Sequence, residues 1–199
     1  QHQHSPRWMT EHQRSMMKFA ARHGCQFHIG KEYDYDHLKG FAFFKSHPVE
    51  YVHNTSSGLL PGHNLYFTGQ DIVFDEGALM GEIAYDTTGV IVELQTPIAP
   101  FVLEREQLYD KLLQRAGIKD ISFEDDAEFS TKELLISTDV AGAKKLFNAD
   151  LRAFILANSA YHIESCENRI LVFLKTEQLT LEEMNGMLSF TTNLISKLN

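Results

Sequence analysis

Between residues 49 and 95 the chain carries one β-rich segment after another, and no helical pattern separates them. The segments are VEYVHNTSS, NLYFTGQDIVF, GEIAYDTT and GVIVELQ, and the residues that divide them are Gly, Pro, Asn and Asp, which favour turns. In the last two segments apolar residues alternate along the chain, as they do in strands with one buried face. Parallel strands need a long crossover, usually a helix, so this arrangement predicts antiparallel pairing.

Helical patterns lie at both ends of the chain and in its last third. SPRWMTEHQRSMMKFAARHG predicts a first helix with Ser5 as its N-cap and Gly24 just after its end. VAGAKKLF, capped by Asp139, and ADLRAFILAN predict two short central helices. Thr180, with Glu183 three positions later, gives the capping-box pattern of a long closing helix.

The remaining segments complete the expected fold. PFVLEREQLYDKLLQRAG predicts a strand and then a helix that ends at Gly117, KELLIST predicts a strand, and YHIESCENRILVFLK predicts a hairpin that turns near Glu167 and Asn168. We therefore expect an α+β fold, a largely antiparallel β-sheet with an N-terminal helix, central helices and a long C-terminal helix packed on it. Residues 1–199 form a single compact domain in this interpretation, or two intimately packed halves of about 1–117 and 118–199.

Composition excludes some classes of protein. The formal net charge of −9 argues against a nucleic-acid partner, since proteins that bind the phosphate backbone carry a basic face. Only two cysteines, Cys25 and Cys166, are present, which favours a reducing, cytoplasmic compartment. No run approaches the roughly 20 apolar residues of a transmembrane helix. The chain starts at Gln1 and not at Met, so we expect an upstream segment, with a membrane anchor, a tag remnant or a cleaved leader as alternatives.

The number of histidines suggests metal binding, but their spacing in the sequence does not form a metal-binding motif. Nine of the ten histidines precede residue 64. His23, Cys25 and His28 offer donors that zinc accepts, yet no second Cys/His pair completes four ligands. His2 and His4, on a terminus expected to fray, can bind metal adventitiously. The remaining histidines are expected in surface turns, and the sequence predicts no metal ligand.

An acidic stretch is the second candidate site. ISFEDDAEFSTKELLIST contains Glu124, Asp125, Asp126 and Glu128, followed at once by an apolar strand. Carboxylates can hold a divalent cation or divide into acid and base, but these lack the glycine and the alternating spacing of a calcium loop. We interpret the stretch as a solvated turn. Its apolar members, Phe123 and Phe129, are expected to anchor that turn in the core.

No other pattern supplies chemistry. The chain has no G-x-S-x-G elbow, and no phosphate loop with its glycine spacing and lysine. We therefore predict no catalytic residue and no cofactor.

The same acidic stretch carries a resemblance to a known group of proteins. Phe123, Glu128-Phe129-Ser130, Leu134-Leu135 and Asp139, then Leu146-Phe147 and Leu151-Arg152-Ala153-Phe154-Ile155, resemble the signature of a group of uncharacterised bacterial proteins. FAARHGCQF and FVLERE are similar to that group's opening helix and strand and to its F-x-L-x-x-E segment. The chain departs from the pattern at Ala127, where the group usually has proline.

The resemblance implies a setting but no chemistry. Proteins of this group commonly carry membrane-spanning helices just before the opening helix, which implies a membrane tether upstream of Gln1 and a domain on the cytoplasmic side of an inner-membrane protein. Our leading hypothesis is a non-catalytic interaction or sensing domain with a protein partner. The alternatives are a metal-dependent, hydrolase-type enzyme that uses residues 124–128, and a small-molecule binding module.

Overall fold

The structure is a computed structural model, and it describes residues 7–75, 84–105, 120–158, 160–174 and 177–198. Its strands are β1 (Gln26–His28), β2 (Val49–Leu59), β3 (Tyr66–Asp75), β4 (Ala84–Glu93), β5 (Phe101–Arg105), β6 (Glu133–Ile136), β7 (His162–Cys166) and β8 (Arg169–Phe173). Its α-helices are α1 (Glu11–Arg22), α2 (Ala42–Ser46), α3 (Ala127–Lys132), α4 (Val140–Leu146), α5 (Ala149–Asn158) and α6 (Leu181–Lys197), and a 3₁₀ turn covers Asp36–Leu38. The α+β prediction is confirmed.

All eight strands belong to one sheet in the order β1-β2-β3-β4-β8-β7-β5-β6, and every neighbouring pair is antiparallel. The antiparallel prediction for residues 49–95 is therefore confirmed. The hairpin prediction is also confirmed: β7 and β8 are joined through Glu167, which has a positive φ of 56°, and Asn168.

One strand prediction is wrong. GEIAYDTT and GVIVELQ were expected as separate strands, whereas Ala84–Glu93 is one continuous strand that runs through Gly89. Gly89 pairs with Gln70 on one side and with Phe173 on the other, so it lies inside the sheet. A Cβ at Gly89 would come within 3.3 Å of the Ile72 side chain. The glycine thus permits close packing and does not mark a turn.

All the α-helices described except α2 cover one face of the sheet, which we call the helix face. Its core contains Phe19 from α1, Phe129 from α3, Leu151 from α5 and Met184 from α6, packed against sheet residues such as Val92. Asp139 caps α4 by accepting a hydrogen bond from the amide of Gly142, and Thr180 caps α6 in a capping box with Glu183, as predicted. These caps satisfy amides that have no partner inside their helices.

The opposite face of the sheet is covered by the segment 35–47, which contains the 3₁₀ turn and α2. Phe41, Phe43 and Phe44 are buried there against Phe74 and Phe173. The prediction that this aromatic segment fills the core is confirmed. We call this the aromatic face.

The first helix begins later than the sequence suggested. Thr10 is its N-cap and forms a capping box with Gln13, while Ser5 lies outside the described residues. Gly24 follows its end with a φ of +65°, as expected for a glycine after a helix. The helix predicted to end at Gly117 also lies outside the described residues.

Candidate functional site

Three neighbouring strands bring one histidine and two aspartates together on the helix face. His53 of β2 lies directly opposite Asp71 of β3, and Asp86 of β4 lies opposite Val73, two residues further along β3. One ligand-capable atom from each of His53, Asp71 and Asp86 lies within 4.8 Å of the other two. Among the described residues, this is the group of His, Cys, Asp and Glu side chains that has the geometry to hold a metal ion.

Asp71 is fully buried, and three donors orient its carboxylate. His12 of α1 and the amide Nδ2 of Asn54 each lie 2.7 Å from Oδ2, and the Thr88 hydroxyl donates to Oδ1 over 2.7 Å. The Thr88 hydroxyl in turn accepts a hydrogen bond from the backbone amide of Leu179, which lies just before α6. The carboxylate is therefore fixed by two strands and by the beginnings of two helices.

His53 and Asp86 form the more accessible side of the group. The His53 Nε2 lies 3.0 Å from Asp86 Oδ2, and Gln178 donates to the same oxygen over 3.0 Å. Burial alone would lower the pKa of His53, but the hydrogen bond with Asp86 and the charges of Asp86 and Asp71 raise it above its ordinary value. The Asp86 side chain is 34% exposed and His53 is 16% exposed, so a small ion can reach them from solvent.

Two buried oxygens beside this group have no hydrogen-bond partner among the described residues. They are Oδ1 of Asn54 and Oδ1 of Asp86. Asn54 is 1% exposed and has a positive φ of 48°, at a register shift of β2 that begins at His53. Bulges of this kind re-aim side chains and are over-represented beside functional sites.

The sequence predictions missed this group. The expectation that the remaining histidines lie in surface turns is wrong for His12, His53 and His162. They lie in α1, β2 and β7, within segments that the sequence predicted as helix or strand, and their side chains are mostly buried. The three ligand candidates are far apart in sequence and meet only through strand register, which spacing does not reveal. The available signal was Asp71 itself, a carboxylate at an inward position of the apolar strand FTGQDIVF.

His23, Cys25 and His28 are not brought together. His23 Nε2 contacts Asn185 Oδ1 at 2.8 Å, and His28 faces Glu32 on the surface. Burial raises the pKa of the Cys25 thiol, which disfavours the reactive thiolate. Both cysteines are free.

The acidic stretch is held by basic side chains. Arg152, nearly buried in α5, donates to Asp126 from Nε over 3.0 Å and to Asp125 from Nη2 over 2.9 Å. Asp126 also caps α3 through the amide of Phe129, and Glu128 pairs with Lys132. The predicted turn thus contains a short helix, and Asp125 and Asp126 attach that helix to α5. Phe123 and Phe129 are buried, as expected.

A second buried charged group lies on the aromatic face. His162 contacts Glu104 through Nδ1, and its Nε2 lies 3.4 Å from Glu164 Oε1. Burial would lower the pKa of His162, but the hydrogen bonds and charges of the two glutamates raise it to about 9. Glu164 also accepts a hydrogen bond from the backbone amide of Phe43 over 3.0 Å. His162 and the two glutamates therefore hold α2 against the sheet.

Beside α2, an open groove of about 460 Å³ lies over the ends of β5, β6 and β7. Apolar side chains dominate its lining, among them Ile98, Pro100, Val102 and Ile136, and Lys45 and Glu164 contribute charge. We call it the α2 groove.

Within the described residues, no helix is both long enough and apolar enough to cross a membrane.

No protein-family model matches the chain, and no curated protein sequence matches it. Among solved structures, the chain is similar to the crystal structure of the mycobacterial trehalose monomycolate transport factor A, TtfA. The sequence identity is 13% and the TM-score is 0.64, and the match covers 96% of this chain and 98% of that one. At this identity the likeness shows a shared fold.

Proposed function

We propose that the protein is a non-catalytic interaction domain of a transport-related protein assembly at a bacterial membrane. The observation that carries the proposal is the fold shared with the mycobacterial transport factor over nearly the full length of both chains. A fold alone does not fix a function, so the proposal also depends on an interaction surface, the α2 groove.

The α2 groove is the surface that best fits a protein partner. Val102 and Ile136 provide apolar contact area, while Lys45 and Glu167 on its rim are exposed. An apolar floor with a polar rim is the usual arrangement of a protein interface. The groove is also rigidly built, because Glu164 ties α2 to β7 through the amide of Phe43.

The ion pairs of Asp125 and Asp126 support a structural role for the acidic stretch. Asp125 and Asp126 bond to Arg152, whose side chain is 7% exposed and which also donates to the carbonyl of Phe147. Asp125 and Asp126 therefore join α3 to α5, which favours the interaction domain over a hydrolase that uses these carboxylates.

The proposal includes a tether and a location. The resemblance of residues 123–155 to a group of membrane-anchored bacterial proteins supports a tether encoded upstream of Gln1, with this domain on the cytoplasmic side. Fractionation of the full-length protein from its own cells tests this part. Recovery in the soluble fraction, without detergent, contradicts it.

The partner is tested by site-specific photo-crosslinking in the native bacterium. A photo-reactive residue in place of Lys45, on the groove, should give a discrete adduct with a component of a membrane transport assembly. The same residue in place of Glu182, exposed on α6, is the matched control and should give none. Ala42→Arg, which fills the groove, should remove the adduct while leaving the melting temperature within a few degrees. No adduct from position 45, or equal adducts from both positions, contradicts the proposal.

A second candidate is a small-molecule binding module, because the volume of the α2 groove lies in the range of ligand sites, roughly 300–1,000 Å³. Ligand-detected NMR with small apolar carboxylates, which suit Lys45, distinguishes the two. Binding that Ala42→Arg removes favours this candidate, and binding that persists in Ala42→Arg, or no binding, counts against it.

A further inference from the structure

We propose that His53, Asp71 and Asp86 form a binding site for a divalent transition-metal ion of the zinc type. The inference goes beyond the proposed function, since it concerns the helix face and not the α2 groove.

The first support is ligand geometry. Zinc binds imidazole nitrogen and carboxylate oxygen at about 2.0–2.2 Å, so neighbouring ligands of a tetrahedral site lie about 3.3 Å apart. His53 Nε2 and Asp86 Oδ2 are 3.0 Å apart, and all three ligand atoms lie within 4.8 Å of one another. Small side-chain rotations therefore suffice to close the site. The ligands stand on three adjacent strands, which limits larger movements.

The second support is the charge. Asp71 and Asp86 place two carboxylates close together, and among the described residues their ion-pair partners are the histidines His12 and His53. Asp71 is fully buried, and one of its oxygens lies within 4.8 Å of an Asp86 oxygen. Two carboxylates so close together repel each other, and the burial of one of them makes this repulsion more costly. A divalent cation compensates both carboxylates.

The third support is the environment of Asp71. Carboxylates and histidines that bind metals are themselves held by outer hydrogen bonds, which set their orientation. His12, Asn54 and Thr88 hold the Asp71 carboxylate in this way. His12 is therefore a positioning residue in the proposal.

The fourth support is the pair of buried oxygens without partners. Asn54 is only 1% exposed, and its Nδ2 donates a hydrogen bond to Asp71. Its Oδ1 has no hydrogen-bond partner among the described residues. Oδ1 of Asp86 is likewise buried and unpartnered there. Such atoms cost free energy unless something satisfies them, and a cation beside these groups does so.

The donor set selects the class of ion. Calcium takes six to eight oxygens, and magnesium requires near-ideal octahedral oxygen ligands. One imidazole and two carboxylates instead suit zinc and similar first-row metals. Three protein ligands leave one tetrahedral position, which a solvent molecule can fill.

The test is a titration with Zn²⁺ in a His2→Gln, His4→Gln background, which removes two histidines that can bind metal adventitiously. Competition with a chromophoric chelator should show one equivalent of bound Zn²⁺, and Mg²⁺ should not compete at millimolar concentration. His53→Gln or Asp86→Asn should weaken binding at least about ten-fold, and His12→Gln should weaken it by about ten-fold or more through the position of Asp71.

The control is His28→Gln, which changes an exposed histidine that also faces a carboxylate, Glu32 at 3.4 Å, and should leave the affinity unchanged. Circular dichroism in the presence of a chelator checks that each variant is folded. If a site variant does not fold, histidine-ring NMR of the background protein decides, because Zn²⁺ should shift the resonances of His53 and not those of His28. Absence of one-equivalent binding, an affinity unchanged in His53→Gln and Asp86→Asn, or a shift at His28 in place of His53 overturns the proposal.

Discussion

His162 carries a charge inside the protein, and the two glutamates that surround it determine how that charge responds to pH. Its ring stacks on Phe173 at 4.5 Å and faces Phe43 at 5.5 Å, so water does not reach it easily. Glu104 and Glu164 nevertheless keep the proton on the ring, and the pKa of His162 rises to about 9. The charged group of His162, Glu104 and Glu164 therefore attaches α2 to the sheet together with the aromatic packing.

We expect the free energy of unfolding to fall as the pH rises through about 9. The pKa of His162 is higher in the folded state than its ordinary value of 6.5, so the folded state holds a proton that the unfolded state releases. The contribution is complete below about pH 6.5, and about 3 kcal/mol is lost once the pH exceeds about 9. Urea unfolding at pH 6 to 10 measures the slope.

His162→Gln is the control for this prediction. The variant should be less stable at pH 7, because two buried carboxylates lose their cationic partner. Its stability should also depend less on pH than that of the unsubstituted protein between pH 7 and 9. The pKa of His53 is raised too and acts in the same direction in both proteins, so the difference between them isolates His162. Equal slopes contradict the prediction.

The residues of the proposed metal site could not be grouped from the sequence. Nothing near His53 in the sequence identifies Asp71 or Asp86 as its neighbours, since the contacts follow from the register of β2, β3 and β4. The register shift at Asn54 changes which residues of β2 and β3 lie opposite each other, and no local pattern predicts it. Helix caps are different, because Asp139 and Thr180 act on amides within a few residues.

At the scale of elements, α3 depends on one buried aromatic side chain. Phe129 is completely buried, with its ring 5.6 Å from Phe123 and 6.2 Å from Phe147. Asp125 contributes less, because its side chain is 74% exposed although it pairs with Arg152.

Phe129→Ala should therefore lower the free energy of unfolding by about 3–5 kcal/mol, the usual cost of removing a buried phenylalanine ring. Asp125→Ala, four residues away on the exposed side of the same segment, should cost less than about 1 kcal/mol. Chemical denaturation of the two variants at one pH gives both values. A larger loss for Asp125→Ala would return the acidic stretch to consideration as a functional site.

The elements themselves could be predicted where their signals are local. Alternating apolar residues, capping residues and turn residues located most strands and helices of the described chain. The errors have physical reasons: Gly89 has a packing role inside a central strand, and Thr10 provides a better cap for α1 than the earlier Ser5 because Gln13 completes a capping box.

At the scale of the whole molecule, the order of strands joins the two ends of the sequence. β5, at residues 101–105, lies between β7 and β6, and β8 pairs with β4 in the middle of the sheet. The sequence alone left open one domain or two packed halves of 1–117 and 118–199. A division near residue 117 separates β5 from both of its neighbours, and it separates Phe19 and Val92 from Phe129 and Met184 in the core of the helix face.

We therefore expect the chain to unfold in one cooperative transition. Far-ultraviolet circular dichroism, which reports the sheet and helices, and near-ultraviolet circular dichroism, which reports the packed aromatic rings, should give the same midpoint. Fragments 1–117 and 118–199 should each lack a cooperative transition, because β5 would lose both partner strands in the first, and β8 would lose β4 in the second. Mixing the fragments should restore native-like signals, since the core is shared between them. Two separate midpoints, or a fragment that unfolds cooperatively by itself, would show instead that the halves are independent folding units.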